Sequence, residues 1–189
     1  YPGRATTALC PITTFDGVPL YQPGAEPDAR AIETRRRMYF EPYHAALSAE
    51  LERLRARHPR VVLYDCHSIR SRVPRLFEGE LPPFNLGTNS GASCAPTLAE
   101  AVEAVCRAGP GSCSVNGRFK GGYITRHHGR PDAGVHALQM ELACRGYLAE
   151  PEHFTPETWP PAYEAAQAAP LQSQLRLVLQ ACLDFALRT

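Results

Sequence analysis

Apolar residues recur along this chain with two different periods, and the change of period marks its elements. Ile32, Tyr39, Tyr43, Leu47, Leu51 and Leu54 stand at helical spacing within a charged stretch, which predicts a helix from Asp28 to about Arg57. Pro42 falls inside it, so a kink or break is expected near Glu41. The β-branched run Val61-Val62-Leu63 predicts a buried strand over 60–66, followed by a long irregular loop over 68–95. Pro96 suits the start of a helix to about Arg107, which Gly109-Pro110-Gly111 ends. A short strand over Cys113–Val115 precedes a Gly-rich bend and an extended Tyr123-Ile124-Thr125. Residues 134–142 alternate as a central strand, and helices over 156–168 and 171–187, parted by Pro170, close the chain. Residues 1–27 are rich in Pro, Gly and Thr and read as turns. Strands alternating with helices predict an α/β fold, a mixed and largely parallel sheet flanked by helices, in one domain over 1–189.

Composition narrows the function. A formal charge of +1 argues against a general nucleic-acid binder or a membrane-surface protein, and the partner expected is a small molecule. No apolar run approaches the length of a membrane span, and no secretory signal opens the chain. The seven cysteines form no C-x-x-C pair and read as free thiols in a reducing cytoplasm.

Candidate chemistry gathers where strands end. Period two puts Asp65 and His67 on one face and turns Cys66 to the other, so a Cys66–His67 nucleophilic dyad is disfavoured. Arg70, Arg72 and Arg75 follow at once, and arginine recognises carboxylates bidentately, so an acidic substrate suits this corner. Glu141 ends an apolar strand, and a buried carboxylate needs a cation, a metal or a proton. It reads either as a general base or as half of a salt bridge, and His67 either as a metal ligand or as a hydrogen-bonded core histidine. Asn116, Arg118, Lys120 and Arg126 surround the Gly-rich bend, whose spacing matches no nucleotide-binding loop. Asn85-Leu86-Gly87-Thr88-Asn89-Ser90-Gly91 is a polar loop suited to hydrogen-bonding a ligand or itself. His127, His128 and His136 are further candidate ligands or proton carriers, of which the adjacent pair can give only one to a given site if extended.

Together these residues resemble a known family. The blocks are Thr14-Phe15-Asp16-Gly17-Val18-Pro19-Leu20-Tyr21, Pro42-Tyr43-His44, Asp65 through Gly79, Asn85-Leu86-Gly87-Thr88, Asn116 through Arg126, and Gly134 through Leu142. In that order they are similar to the N-formylglutamate amidohydrolases. The resemblance implies a zinc-carboxypeptidase-like fold and hydrolysis of N-formyl-L-glutamate to formate and L-glutamate in histidine degradation. It also implies a zinc ion (Zn2+) with His67 as its last ligand, Glu141 as general base, and the basic residues as partners of two substrate carboxylates. His128 stands where the family commonly has tyrosine.

The family also has an upstream His-Ser-Gly motif, an acidic metal ligand and an Asn-Arg pair, and none occurs here. A catalytic zinc ordinarily takes three protein ligands. The resemblance therefore implies an N-terminally truncated domain, the C-terminal two-thirds of an enzyme, weakly folded and inactive alone. Two other readings stay open: a metallo-amidase for a different N-acyl acidic amino acid, and a non-catalytic binding module that kept the fold.

Overall fold

Alternation along the strands decides which face is core and which carries chemistry. The computed structural model describes residues 8–109 and 111–188, and the chain divides into two compact units, Tyr1–Arg53 with Val73–Glu78 and Leu54–Arg72 with Gly79–Thr189.

In the first unit, helix α1 (Ala29–Arg35) is capped by Asp28, whose carboxylate accepts the Ala31 N–H at 2.7 Å. It widens into a π-helical turn, Arg36–Phe40, and runs on as α2 (Glu41–Arg55), whose last residues enter the second unit. Pro42 explains the widening: its ring cannot donate and would press on the carbonyl four residues back, so a longer turn absorbs it. The predicted break is thus a wide turn within continuous helix. Among the described residues before α1, Thr13 and Pro19 form an isolated antiparallel bridge.

The second unit holds a four-stranded sheet of β1 (Val61–Ile69), β2 (Phe84–Gly87), β3 (Cys113–Val115) and β4 (Val135–Ala143), in the order β1-β4-β2-β3. β1 pairs parallel with β4 and β2 parallel with β3, whereas β2 and β4 run antiparallel, so the sheet is mixed. Phe84, Leu86, Leu138 and Met140 turn to one face and form a core with Leu98, Val102 and Cys106 of α3 (Pro96–Ala108) and Leu171, Val178 and Phe185 of α5 (Ala165–Leu187). Full burial of each such side chain contributes roughly 1.5–3 kcal/mol. The other face of the same strands carries Asn85, Gly87, Gln139 and Glu141.

Four elements differ from expectation. β2 lies inside the stretch expected to be an irregular loop, its pairing hidden by Pro82-Pro83 before it. Tyr123–His128 forms a short helix, α4, burying Thr125 and His128 three residues apart. No helix occupies 156–164, where three prolines and hydrogen bonds among Thr155, Thr158 and His153 make turns. Pro170 does not separate two helices but sits inside α5, which gives up one backbone bond yet stays anchored by buried Leu171, Val178, Cys182 and Phe185. Among the described residues no helix is long and apolar enough to cross a membrane.

Candidate active site

The parallel register of β1 and β4 sets His67 opposite Glu141 and Asp65 opposite Gln139. On the far side of β4, Asn85 stands opposite Glu141 and Gly87 opposite Gln139. Period two sends Asp65, His67, Gln139 and Glu141 to one face, a polar square on a sheet whose other face is apolar core. Glu141 is only 5% exposed, at the middle of the sheet, whereas the His67 side chain is 45% exposed at its edge.

The imidazole lies between two carboxylates. Nε2 is 3.2 Å from Asp65 Oδ2, and Nδ1 is 3.9 Å from Glu141 Oε2. The Asp65 contact is one of charge rather than a well-aligned hydrogen bond, so Oδ2 stays buried without a hydrogen-bond partner. Glu141 Oε2 accepts from Gln139 Nε2 at 3.0 Å, and the Glu141 backbone carbonyl accepts from Asn85 Nδ2 at 3.1 Å. Contact with Asp65, first of all, pushes the His67 imidazolium above its ordinary range, against the opposing effect of burial, and Glu141 adds to it. Burial pushes the Glu141 carboxyl up, with His67 and Gln139 pulling the other way and Asp65 reinforcing the rise. The cluster therefore holds a proton more tightly than separate, solvated groups would.

A histidine that binds a metal through one ring nitrogen ordinarily turns the other to a carboxylate or carbonyl; here Nε2 faces Asp65 and Nδ1 faces the Glu141 side. His67 Nδ1, on the side of the ring away from Asp65, fits one corner of a zinc site. Among the described residues, however, no group of three or more His, Cys, Asp or Glu side chains is placed to hold a metal ion. Beside His67 a cavity of about 320 Å3 opens, with Ser68, Tyr147 and Gln172 among its lining and Leu142 as an apolar wall. Tyr147 donates to Ser68 Oγ at 2.9 Å there.

The expected basic residues sit in different local settings. Arg70 lies over the Phe154 ring, 4.4 Å from its centroid, and Arg118 over Phe119 at 5.5 Å. Arg72 is paired with Glu80 at 2.7 Å, which Arg145 shares at 2.8 Å. Arg75 belongs to the first unit and donates to the Thr14 carbonyl at 3.2 Å. Lys120 is exposed, and its carbonyl accepts the Asn89 N–H at 2.6 Å. Arg126 Nη1 donates to the Gly121 carbonyl at 3.2 Å. Asn116, at φ +52°, spends its amide internally: Oδ1 accepts from the Thr88 and Ser90 N–H groups at 2.9 and 3.2 Å, and Nδ2 donates to Thr88 Oγ1 at 2.8 Å.

His136 faces the core, where its Nδ1 accepts the Ala95 N–H at 3.1 Å and its ring meets Phe185 edge-on. His127 stacks on Tyr123. Gln139 was not anticipated from the sequence as part of the site. Its signal was a polar residue two positions before Glu141 in an otherwise apolar strand.

The sequence profile of the N-formylglutamate amidohydrolases matches residues 1–148. A curated N-formylglutamate deformylase of Pseudomonas aeruginosa is 50% identical over 183 residues, which is 95% of this chain and 65% of the relative. One from Pseudomonas putida is 47% identical over 180 residues, with the same shares. The chain thus spans 65% of the length of these relatives. The crystal structure of an N-formylglutamate amidohydrolase from Ralstonia eutropha JMP134 superposes with a TM-score of 0.68 at 23% identity, over 90% of this chain and 62% of that one. At that identity the likeness shows a shared α/β fold.

Proposed function

The chain belongs to the N-formylglutamate amidohydrolase family, and from that premise we propose that it carries the general base of an enzyme hydrolysing N-formyl-L-glutamate to formate and L-glutamate, as a step of histidine degradation. The observation that carries the reading is the Glu141–His67 pair, a buried carboxyl 3.9 Å from an imidazole nitrogen that Asp65 backs from the other side. The curated relatives, both named N-formylglutamate deformylases, support the substrate.

Glu141 accepts a proton from the attacking water as the water oxygen adds to the formyl carbon. As the C–N bond breaks, the same carboxyl returns that proton to the leaving nitrogen. A carboxyl raised by burial suits both halves, because it is a stronger base toward the water and is still an acid toward the leaving nitrogen. Asp65 holds the imidazole of His67 in place from the Nε2 side. His67 would be the zinc ligand this chain offers, through Nδ1. When bound, zinc supplies polarisation of the formyl carbonyl and acidification of the attacking water. On the family resemblance we assign Arg70, Arg118, Lys120 and Arg126 to the two substrate carboxylates; Arg72 is held by Glu80 and Arg75 donates to the Thr14 carbonyl.

A panel of N-formyl-, N-acetyl- and N-succinyl-L-glutamate tests the acyl group. It is read in this chain and in a chimaera that adds the part of the Pseudomonas aeruginosa relative the chain does not span. Formyl turnover should lead the panel. An acetyl or succinyl compound turned over fastest would replace the deformylase reading with another acyl-amino-acid amidase.

A further inference from the structure

Gln139 is 4% exposed in the central strand, where an unpaired amide would be costly and an apolar residue would pack without penalty. Both of its ends are engaged. Oε1 accepts the Gly122 N–H at 2.7 Å, and Nε2 donates to Glu141 Oε2 at 3.0 Å. The first bond fixes the second: an N–H can be met only by the amide oxygen, so the NH2 end must face the carboxylate. The peptide that donates, Gly121–Gly122, also accepts at its carbonyl from Arg126 Nη1 at 3.2 Å. A guanidinium, a peptide, a carboxamide and a carboxylate thus stand in series, each polarising the next.

The sequence is built to let that peptide reach the strand. Gly87 stands opposite Gln139 in β2, and a Cβ there would lie 2.4 Å from Gly121 N and 2.7 Å from the Lys120 carbonyl carbon. Gly121 takes φ +102°, a conformation that side chains rarely adopt.

We propose that Gln139 is the positioning residue of Glu141, holding its carboxylate on the His67 side and tying that orientation, through the Gly121–Gly122 peptide, to Arg126. The inference rests on reading Glu141 as the general base. In effect Arg126 of α4, with the Gly-rich bend that carries Arg118 and Lys120, is wired to the base, so a substrate carboxylate drawn to Arg126 bears on the group that activates water.

Gln139→Met keeps length and apolar volume but breaks both bonds. In ¹⁵N-labelled chain, amide exchange at Gly122 should quicken at least about tenfold in Gln139→Met and stay slow in Glu141→Leu, whereas one Gln139 Nε2 proton should lose its protection in Glu141→Leu. Unchanged Gly122 exchange in Gln139→Met, or an unmoved Nε2 proton in Glu141→Leu, overturns the link without any turnover being needed. In the chimaera, Gln139→Met should lower kcat about 10–100-fold, as loss of an orienting partner does, with KM within about threefold. Full kcat in Gln139→Met beside an inactive Glu141→Gln overturns the positioning role and leaves the base standing. Full kcat in Glu141→Gln instead removes the base, and with it the role proposed for Gln139.

Discussion

Replacing Asn116 by alanine should destabilise the chain far more than replacing it by aspartate. Alanine removes three side-chain hydrogen bonds at once. They are not equal. Ser90 is exposed, so water takes over its N–H, and Thr88 Oγ1 keeps the Gly91 N–H at 3.0 Å. The Thr88 N–H has no such refuge, because the residue is 1% exposed, and an orphaned buried donor costs about 1–3 kcal/mol. Alanine at φ +52° adds roughly 1 kcal/mol of left-handed strain that asparagine tolerates better. The sum is about 2–4 kcal/mol. Aspartate keeps both acceptor bonds and the tolerance of positive φ, and the Thr88 hydroxyl can turn to donate to it, so its cost is about 1 kcal/mol or less. Urea unfolding followed by far-UV circular dichroism reads both variants. If the two fell within about 0.5 kcal/mol of each other, Asn116 would not be the clamp that joins the Gly-rich turn to the end of β2.

Two other outcomes follow from local geometry. Gly87→Ala should cost about 1–3 kcal/mol, because the added methyl meets backbone rather than a flexible side chain, and it should quicken Gly122 exchange by lifting that peptide off Gln139; normal stability with slow exchange would refute the close approach. Burial, and then the charges of Arg60 and Arg55, push the His136 imidazole below its ordinary range. Its neutral form is therefore the folded one, so its contribution is fully present above about pH 6.5 and is lost as pH falls from there through the depressed folded value. Urea unfolding between pH 8 and 5.5 should show that loss, and His136→Gln should flatten it; an identical slope in the variant would contradict the assignment.

The sequence was informative where one physical demand acts on a residue and mute where two compete. β4 and α3 answer mainly to burial, and their periods predict them within a residue or two. β2 answers also to the site. Asn85 is there to bond the Pro82 and Glu141 carbonyls, and Gly87 to admit the Gly121 peptide, so neither looks like a strand residue. Tyr123–His128 carries β-branched residues after two glycines, which favour extension, yet packing of Thr125 and His128 draws it into a helix. At the site, period two was enough to place His67 with Asp65, and a carboxylate in an apolar strand was enough to single out Glu141. Bringing them together needed the parallel register of β1 on β4, which no local pattern encodes. Gln139 shows the same limit: a polar residue in an apolar strand was visible, but its two partners lie 17 and 2 positions away and only the fold joins them.

Formate release from N-formyl-L-glutamate with added zinc, in the chain and in the chimaera, each with and without Glu141→Gln, tests the central claim most directly. Release from the chimaera should fall about 10²–10⁴-fold in Glu141→Gln, the usual contribution of a positioned base, while KM holds. Release that survives Glu141→Gln unchanged, or no release from either protein with zinc bound, would contradict it.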